Sequence, residues 1–228
     1  MSKIQYQFKR STPLRFLSHL DQQRLFQRAF RRANLPIEYS QGFNPHPKMS
    51  FALAMSVGLT SDCEYGEVNV SEDLNSDEFL ARMNAALPNG LQIVSAKVCE
   101  EGTSSLSSSI EKSYYLLKVK LVPEMSFLRL DEIIKSYLGL TDIKMEKRNK
   151  KGKMVEKNIR PFIESIAVYQ LDGENDRVNL EMTLTYIDQQ CVKPERVLES
   201  INSFYEGVFI VDPTIECHRQ KLLLKADF

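Results

Sequence analysis

The segment LDQQRLFQRAFRRA, residues 20–33, carries the residues whose types and spacing first suggest chemistry. Arg24, Arg28 and Arg32 follow one another at intervals of four, and Arg31 lies beside that row. On a helix, this spacing places the side chains along one face. A guanidinium is permanently charged, and its fork matches two phosphate oxygens. The row therefore predicts an anion-binding surface, and a solvated helix face is the alternative interpretation.

The segment QGFNPHPKMSF, residues 41–51, places two prolines around one histidine. Proline fixes its own φ and restricts the residue before it, and Gly42 permits positive φ or close backbone approach. A rigid loop holds its side chains toward a ligand at a low entropy cost. Phe43 could stack on an unpaired base, unless it belongs to the core and the prolines merely end an edge strand. The side chains that we expect to contact a nucleotide are Phe43, Asn44, His46 and Lys48.

His19 and His46 are the only histidines in the first half of the chain. A histidine pair could act as acid and base in RNA cleavage through the 2′-hydroxyl, with Arg15 or Lys48 stabilising the phosphorane. His19, Asp21 and His46 also have the ligand types of a metal site, although they lack tight spacing. Nothing in the sequence shows that the two histidines meet. The two histidines are candidate catalytic residues of an alternative function.

A second basic segment, KMEKRNKKGKMVEK at residues 144–157, has the composition of a hairpin with Gly152 near its tip. Basic hairpin tips contact phosphate backbones in RNA-binding proteins, and they also protect the edges of sheets. Both interpretations fit this segment equally well. The candidate phosphate contacts are Arg148, Lys150, Lys151 and Lys153.

The composition of the 228 residues is that of a globular protein, and it excludes several functions. The net charge is zero, but residues 1–50 and 112–161 are each +7, whereas residues 51–111 and 162–228 are −8 and −6. Such alternation lets a neutral protein present a basic face to a polyanion. No apolar run approaches the roughly 18 residues that span a membrane, and we see no secretory signal.

Several motifs that would indicate other chemistry do not occur. The four cysteines form no CxxC pair, and the sequence contains no Walker A, GxGxxG or GxSxG motif. We therefore expect a cytoplasmic protein with reduced thiols, with no cofactor, no metal and no membrane partner.

The periodicity of the first half predicts the order strand, helix, strand, strand, helix, strand, which is the ferredoxin-like arrangement. Ser18 and Asp21 form a variant capping box, while Asn34 and Pro36 favour a helix end. The predicted strands are 4–10, 37–40, 51–59, 65–72 and 91–98, of which 37–40 and 51–59 flank the loop, and the second helix is 76–88.

The second half repeats this order with an extra strand. Its predicted strands are 114–122, 142–149, 161–172, 176–187 and 215–224, and its helices are 125–139 and 194–207. The predicted fold class is α+β, with two tandem ferredoxin-like units whose sheets are antiparallel. We place the first unit at residues 1–99, a Ser-rich linker at 100–113 and the second unit at 114–228.

Three blocks in the first half resemble a known bacterial family. RFLSHLD (15–21), RLFQRAFRRANLPIEYS (24–40) and QGFNPHPKMSFALAMSVGL (41–59) closely resemble the radical-SAM-linked domain of unknown function. That domain occurs alone or fused to the C-terminus of a B12-type radical SAM protein. The resemblance implies a radical SAM partner, and the family's gene neighbourhood implies that RNA is the shared substrate. This chain lacks cluster-binding cysteines, so it is not itself the radical SAM catalyst.

These observations lead to one function and two alternatives. We expect an RNA-binding or substrate-presenting accessory module that works with a radical SAM RNA-modifying enzyme, the RNA being tRNA or rRNA. Arg15, the arginine row, Lys48 and the basic hairpin would hold phosphates, while the loop would orient a nucleotide. The first alternative is a metal-independent endoribonuclease that uses His19 and His46. The second is a protein-binding adaptor that docks the radical SAM partner.

Overall fold

The computed structural model describes residues 2–99, 103, 105–148, 152–172 and 177–225, and the chain divides into two compact units. Unit 1 comprises Met1–Ile110 and Lys221–Phe228, and unit 2 comprises Glu111–Gln220. Both units combine antiparallel strands with helices, so the predicted α+β, ferredoxin-like fold class is confirmed. In the described part of the chain, no helix has the length and apolar character needed to cross a membrane.

Unit 1 has the strand order of a ferredoxin-like unit. Its elements are β1 (Ser2–Arg10), α1 (His19–Arg32), β2 (Met49–Phe51), β3 (Leu59–Val70), α2 (Ser76–Ala86), β4 (Leu91–Cys99) and α3 (Leu106–Ser109). β1 lies between β3 and β4 and is antiparallel to both, with Ile4 opposite Val68 and Val98. The short β2 pairs with the other edge of β3, where Phe51 lies opposite Gly66. The strand order of unit 1 is therefore β4-β1-β3-β2. As in other ferredoxin-like units, α1 connects β1 to β2 and α2 connects β3 to β4.

Unit 2 has the same type of strand order, but its chain contains additional strands. Its elements are β5 (Ile110–Leu121), α4 (Phe127–Leu138), β6 (Lys144–Arg148), β7 (Met154–Asn158), β8 (Ile163–Asp172), β9 (Arg177–Thr185), α5 (Pro194–Phe204), β10 (Phe209–Ile210) and β11 (Glu216–Leu224). The strand order is β11-β5-β9-β8, and β10 pairs with β5. β6 and β7 form a separate hairpin, inserted between α4 and β8.

Two of the predicted strands around the loop are wrong. Residues 37–40 make only isolated pairs, Ile37 with Val70 and Tyr39 with Pro47. Residues 52–58 form a loop between β2 and β3, rather than part of a strand over 51–59. The backbone turns at Gly58, whose φ is +87° and whose N–H donates to the carbonyl of Arg15 at 2.7 Å. Phe51, Ala52, Met55 and Leu59 of this apolar run are nevertheless buried, which is why it has the composition of a strand.

The predicted domain limits stay predictions. Residues 105–113 of the predicted linker contain α3 and the start of β5, whereas residues 100–102 and 104 lie outside the described part of the chain. The last strand, β11, contributes residues Glu216–Gln220 to unit 2 and its remaining residues to unit 1. The C-terminal segment from Lys221 onward therefore belongs to unit 1.

An aromatic cluster packs α1 against the sheet of unit 1. Phe26 on α1 lies 5.8 Å from Tyr6, 5.1 Å from Phe8 and 5.1 Å from Phe51, measured between ring centroids. Phe26 and Phe30 are fully buried, as the predicted apolar stripe requires. Such aromatic pairs contribute about 0.5–1.5 kcal/mol each beyond their buried area. This cluster fixes the rotation of α1 and so turns the arginine row outward.

The surroundings of the Tyr6 hydroxyl predict that Tyr6→Phe does not weaken the fold. Tyr6 is fully buried, and its hydroxyl has no hydrogen-bond partner among the described residues. Because an unpaired buried hydroxyl costs about 1–3 kcal/mol, we expect Tyr6→Phe to leave the free energy of unfolding unchanged or to raise it by about 1 kcal/mol. Urea unfolding measures the change.

A matched control is Tyr115→Phe in unit 2. The Tyr115 hydroxyl accepts hydrogen bonds from the Arg219 guanidinium at 3.1 and 3.0 Å, so this substitution should cost about 1.5–3 kcal/mol. A loss of more than 1 kcal/mol on Tyr6→Phe would show that the Tyr6 hydroxyl does contribute to stability.

Candidate nucleic-acid interface

Helix α1 begins and ends where the sequence predicts. The Ser18 hydroxyl oxygen accepts from the backbone N–H of Asp21 at 3.1 Å and donates to the Asp21 carboxylate at 2.6 Å. Ser18 is therefore the N-cap, which satisfies one of the free N–H groups of the first turn. Asn34 has a φ of +48°, the left-handed conformation that ends the helix before Pro36. The N-cap and the end residue together determine the limits of α1, so that all arginines of the row lie on one continuous helix.

Three arginines of the predicted row line one groove on the surface of unit 1. This arginine groove has a volume of about 470 Å³. Its lining consists of Arg24, Arg28, Arg32, Asp21, Leu17, Leu25 and Pro88. Arg31 is exposed but does not line it. The i, i+4, i+8 spacing thus produces the common surface that the sequence predicts, and Arg31 lies outside it.

The three groove arginines differ in how they are engaged. Arg28 is exposed, and its guanidinium makes no hydrogen bond or ion pair with any described residue. Arg24 forms an ion pair with Asp21 at 3.4 Å, with both side chains largely exposed, so this pair contributes little to stability. Arg28 and Arg24 are therefore the groove cations that a phosphate can reach most readily.

Arg32 has a structural role in addition to lining the groove. Its guanidinium donates to the Ala86 carbonyl at the end of α2, at 2.7 and 3.3 Å. Arg82 on α2 donates in return to the Ala33 carbonyl at the end of α1, at 3.0 and 2.8 Å. A cation that satisfies the last carbonyls of a helix is favourable. Arg32 therefore links α1 to α2, and its substitution would affect packing as well as binding.

The proline-rich loop projects from unit 1 on a hydrogen-bonded base. The Ser40 N–H donates to the His46 carbonyl at 2.8 Å, and the His46 N–H donates to the Ser40 hydroxyl at 3.1 Å. Gly42 adopts a φ of +125°, as its position in the loop predicts. Phe43 is fully exposed, and Asn44 and His46 are exposed beside it. The interpretation of Phe43 as a core residue is therefore wrong.

Lys48 helps to close the base of this loop. Its ammonium group hydrogen-bonds the Glu38 carboxylate at 3.0 Å, and the Glu38 side chain is largely buried. This hydrogen bond lowers the pKa of Glu38 below its usual value, against the opposing effect of burial. A phosphate that binds Lys48 must therefore compete with the Glu38 carboxylate. The role of Lys48 as a phosphate contact stays a prediction.

His19 and His46 have different surroundings, and their pairing as catalytic residues stays a prediction. His19 packs edge-on against Phe51, with ring centroids 5.9 Å apart, and its Nδ1 is buried without a described partner. His46 lies on the exposed loop, and no described contact joins it to His19 or to Arg28. Within the described residues, no three His, Cys, Asp or Glu side chains form a cluster, so His19, Asp21 and His46 do not converge.

The burial of His19 predicts a pH dependence of stability. Burial lowers the pKa of His19 below its usual value of 6.5, because the charged ring loses hydration. The unfolded chain therefore binds the proton first, and stability falls as the pH drops below about 6.5 toward the lowered pKa. We expect His19→Gln to reduce this loss. Thermal unfolding at pH 7.5 and 5.5 measures it, with His46→Gln as the exposed control. An equal pH response in wild type and His19→Gln would contradict this role of His19.

Phe16 is a candidate contact that the sequence analysis missed. The Arg15 guanidinium lies 4.6 Å from the centroid of the Phe16 ring, and the Phe16 side chain is 63% exposed. Leu20 and Val57 are exposed as well. The sequence did indicate that Phe16 and Leu20 could be exposed, because Phe16 precedes the N-cap and Leu20 lies outside the apolar stripe of α1. An exposed aromatic ring beside a guanidinium can stack on a nucleobase.

The basic hairpin of unit 2 is described only in part. Arg148 is the last residue of β6, and Lys153 is exposed just before β7. Gly152 has a φ of +79°, which agrees with its predicted place near a hairpin tip. Lys150 and Lys151 lie outside the described residues. The predicted phosphate contacts of this hairpin stay predictions.

Residues 3–194 match the family described as "Uncharacterized protein conserved in bacteria (DUF2344)". The chain belongs to this family. The matched range contains the arginine groove, the proline-rich loop and the β6–β7 hairpin, and it ends at the first residue of α5. Every residue predicted to contact nucleic acid is therefore part of the DUF2344 region. No curated protein matches the chain in sequence.

Among solved structures, this DUF2344 chain is similar to a chain of the "Crystal Structure of a Cbf5-Nop10-Gar1 Complex". The TM-score is 0.55 at 7% sequence identity, and the match covers 97% of this chain and 48% of that one. The DUF2344 chain thus spans about half the length of its structural neighbour. At this identity the likeness concerns the fold alone.

Proposed function

We propose that the chain is an RNA-binding or substrate-presenting accessory module that works with a radical SAM RNA-modifying enzyme. The observation that carries the proposal is the arginine groove, in which Arg24 and Arg28 are exposed and Arg28 has no described partner. Helical geometry separates these two residues by about 6 Å along the axis of α1. Two permanent cations at this separation suit a strand of successive phosphates.

The surroundings of the groove favour an unpaired strand over a duplex. Leu17, Leu25 and Pro88 provide an apolar lining beside the cations. Phe16 and Phe43 are exposed aromatic side chains of the same unit. Single-stranded nucleic acids are bound by cationic grooves together with aromatic side chains on which bases stack. Unpaired regions of tRNA or rRNA are therefore the proposed ligands.

The partnership with a radical SAM enzyme rests on the sequence resemblance of residues 15–59. The same residues build α1, the proline-rich loop and all of the arginine groove except Pro88. In this proposal the chain holds the RNA, and the enzyme carries out the modification. The exposed loop around Phe43 is then available for the RNA or for the enzyme.

The experiment is to crosslink the full chain to RNA in cells, sequence the recovered RNA and map the crosslinked peptides. We expect enrichment of tRNA or rRNA, with crosslinks in peptides from α1 or from residues 41–46. Recovery of no RNA above background would contradict the proposal. RNA-free co-purification with a radical SAM enzyme, lost on substitution of Phe43 and His46, would favour the adaptor.

Incubation of the purified chain with RNA tests the alternative function as an endoribonuclease. That alternative requires RNA fragments with 2′,3′-cyclic phosphate ends, formed without metal and abolished by His46→Ala. Because the His19 ring packs against Phe51 whereas His46 lies on the exposed loop, we expect the RNA to stay intact.

A further inference from the structure

A second cavity, in unit 2, is lined by residues to which the sequence analysis assigned no role. Its volume is about 470 Å³, within the range of roughly 300–1,000 Å³ that small-molecule sites occupy. One part of its lining is apolar and consists of Met145 on β6, Ile159 after β7, and Val192 before α5. Ile159 and Val192 are buried. The inserted hairpin therefore forms one wall, and the segment that leads into α5 forms another.

The other part of the lining is cationic. Lys193 is the N-cap residue of α5, Arg196 lies in its first turn, and Lys157 lies on β7. Glu146 is the one carboxylate in this lining. The three cations thus exceed the acidic groups, and they border an apolar floor. A cavity of this composition suits a ligand that has an anionic end and an apolar, planar end.

The partners of these cations indicate which of them is free to bind an anion. Lys157 donates to the Gln190 side chain at 2.7 Å. Arg196 pairs with Glu199 and donates to the Glu146 carbonyl at 3.2 Å. Lys193 is exposed, and its ammonium group makes no hydrogen bond or ion pair with any residue that the structure describes. Lys193 is therefore the principal anion contact, and Arg196 can add a second.

We propose that this cavity binds a mononucleotide, with the phosphate at Lys193 and Arg196 and the base against Met145, Ile159 and Val192. The nucleotide can be a free nucleoside monophosphate or the 5′-phosphorylated end of an RNA strand, because both present the same phosphate and base. The site lies in unit 2 and uses none of the residues of the arginine groove. It therefore stands independently of the function proposed for unit 1.

The test is calorimetric titration of the full chain with AMP, adenosine and inorganic phosphate. AMP should bind at least tenfold more tightly than either adenosine or phosphate, since only AMP fills both parts of the cavity. A second titration compares a short RNA with and without a 5′-phosphate. Preference for the phosphorylated strand over AMP identifies a strand end as the ligand, whereas the reverse identifies a free nucleotide. Equal affinity for AMP and inorganic phosphate would overturn the proposal.

Lys193→Asp is the decisive variant. It should weaken AMP binding at least tenfold while keeping the fold, because aspartate is a favoured N-cap residue and α5 has no side-chain cap at present. Lys120→Glu is the control, since Lys120 is exposed on β5 and does not line the cavity. A variant with Arg24 and Arg28 both replaced by glutamate should bind AMP normally, which separates this site from the RNA groove. Unchanged AMP affinity in Lys193→Asp would refute the proposed phosphate contact.

Discussion

Replacing Arg24 and Arg28 together with glutamate is expected to lower the affinity for single-stranded RNA by at least about 100-fold. Hydrogen bonds to charged groups contribute about 1.5–3 kcal/mol each, and every 1.4 kcal/mol is a factor of ten in the dissociation constant. The two new carboxylates also repel phosphates. Fluorescence anisotropy with an end-labelled, unstructured RNA at constant salt measures the loss. Both side chains are exposed, so the melting temperature should change little.

Arg31→Glu is the matched control for this double substitution. Arg31 lies on the same helix and is equally charged and exposed, but it does not line the arginine groove. Its reversal should weaken RNA binding much less than the reversal of Arg28 alone. Equal losses for Arg31→Glu and Arg28→Glu would show that general positive charge, rather than the groove, binds RNA.

Arg10→Met is expected to lower the free energy of unfolding by about 3–5 kcal/mol, because several buried acceptors lose their donor at about 1–3 kcal/mol each. Arg10 is fully buried at the end of β1. Its guanidinium donates to the carbonyls of Leu59 at 2.7 and 3.2 Å, Ser56 at 2.8 Å and Leu17 at 3.2 Å, and to the Gln22 side chain at 2.9 Å. One side chain thus ties the segment before α1 to the loop that precedes β3.

Methionine fills part of the same volume but leaves these acceptors without a donor, and each unsatisfied buried group costs about 1–3 kcal/mol. Urea unfolding monitored by circular dichroism measures the effect. Lys9→Met, on the neighbouring exposed position of β1, should change stability by less than about 0.5 kcal/mol. A loss below 1 kcal/mol for Arg10→Met would mean that water or the relaxed backbone replaces the guanidinium.

The parts of the fold that the sequence predicts are those set by local signals. The limits of α1 follow from Ser18 and Asn34, and its rotation follows from the spacing of Phe26 and Phe30. The order of elements in unit 1 was predictable because each regular strand alternates and each helix has a polar cap. The common face of Arg24 and Arg28 follows from helical spacing in the same way.

The parts that could not be predicted depend on contacts between distant residues. Several apolar residues between Phe51 and Leu59 are buried, but burial alone does not distinguish a strand from a loop. Arg10 resembles an ordinary charged residue at a strand end until tertiary structure buries it. Likewise, the sequence predicts the same role for Arg32 as for Arg24 and Arg28. In the structure, however, the Arg32 guanidinium already donates to the Ala86 carbonyl.

The most direct measurement of RNA binding through the arginine groove is the salt dependence of affinity in wild type and in the Arg24→Ala, Arg28→Ala variant. For single strands, the slope of log K against log salt changes by about 0.7 for each phosphate contact. If the two guanidiniums each bind a phosphate, the slope of the double variant should be shallower by about 1.4 over 50–200 mM salt. An identical slope in both proteins would contradict the central claim, because the RNA would then be held elsewhere.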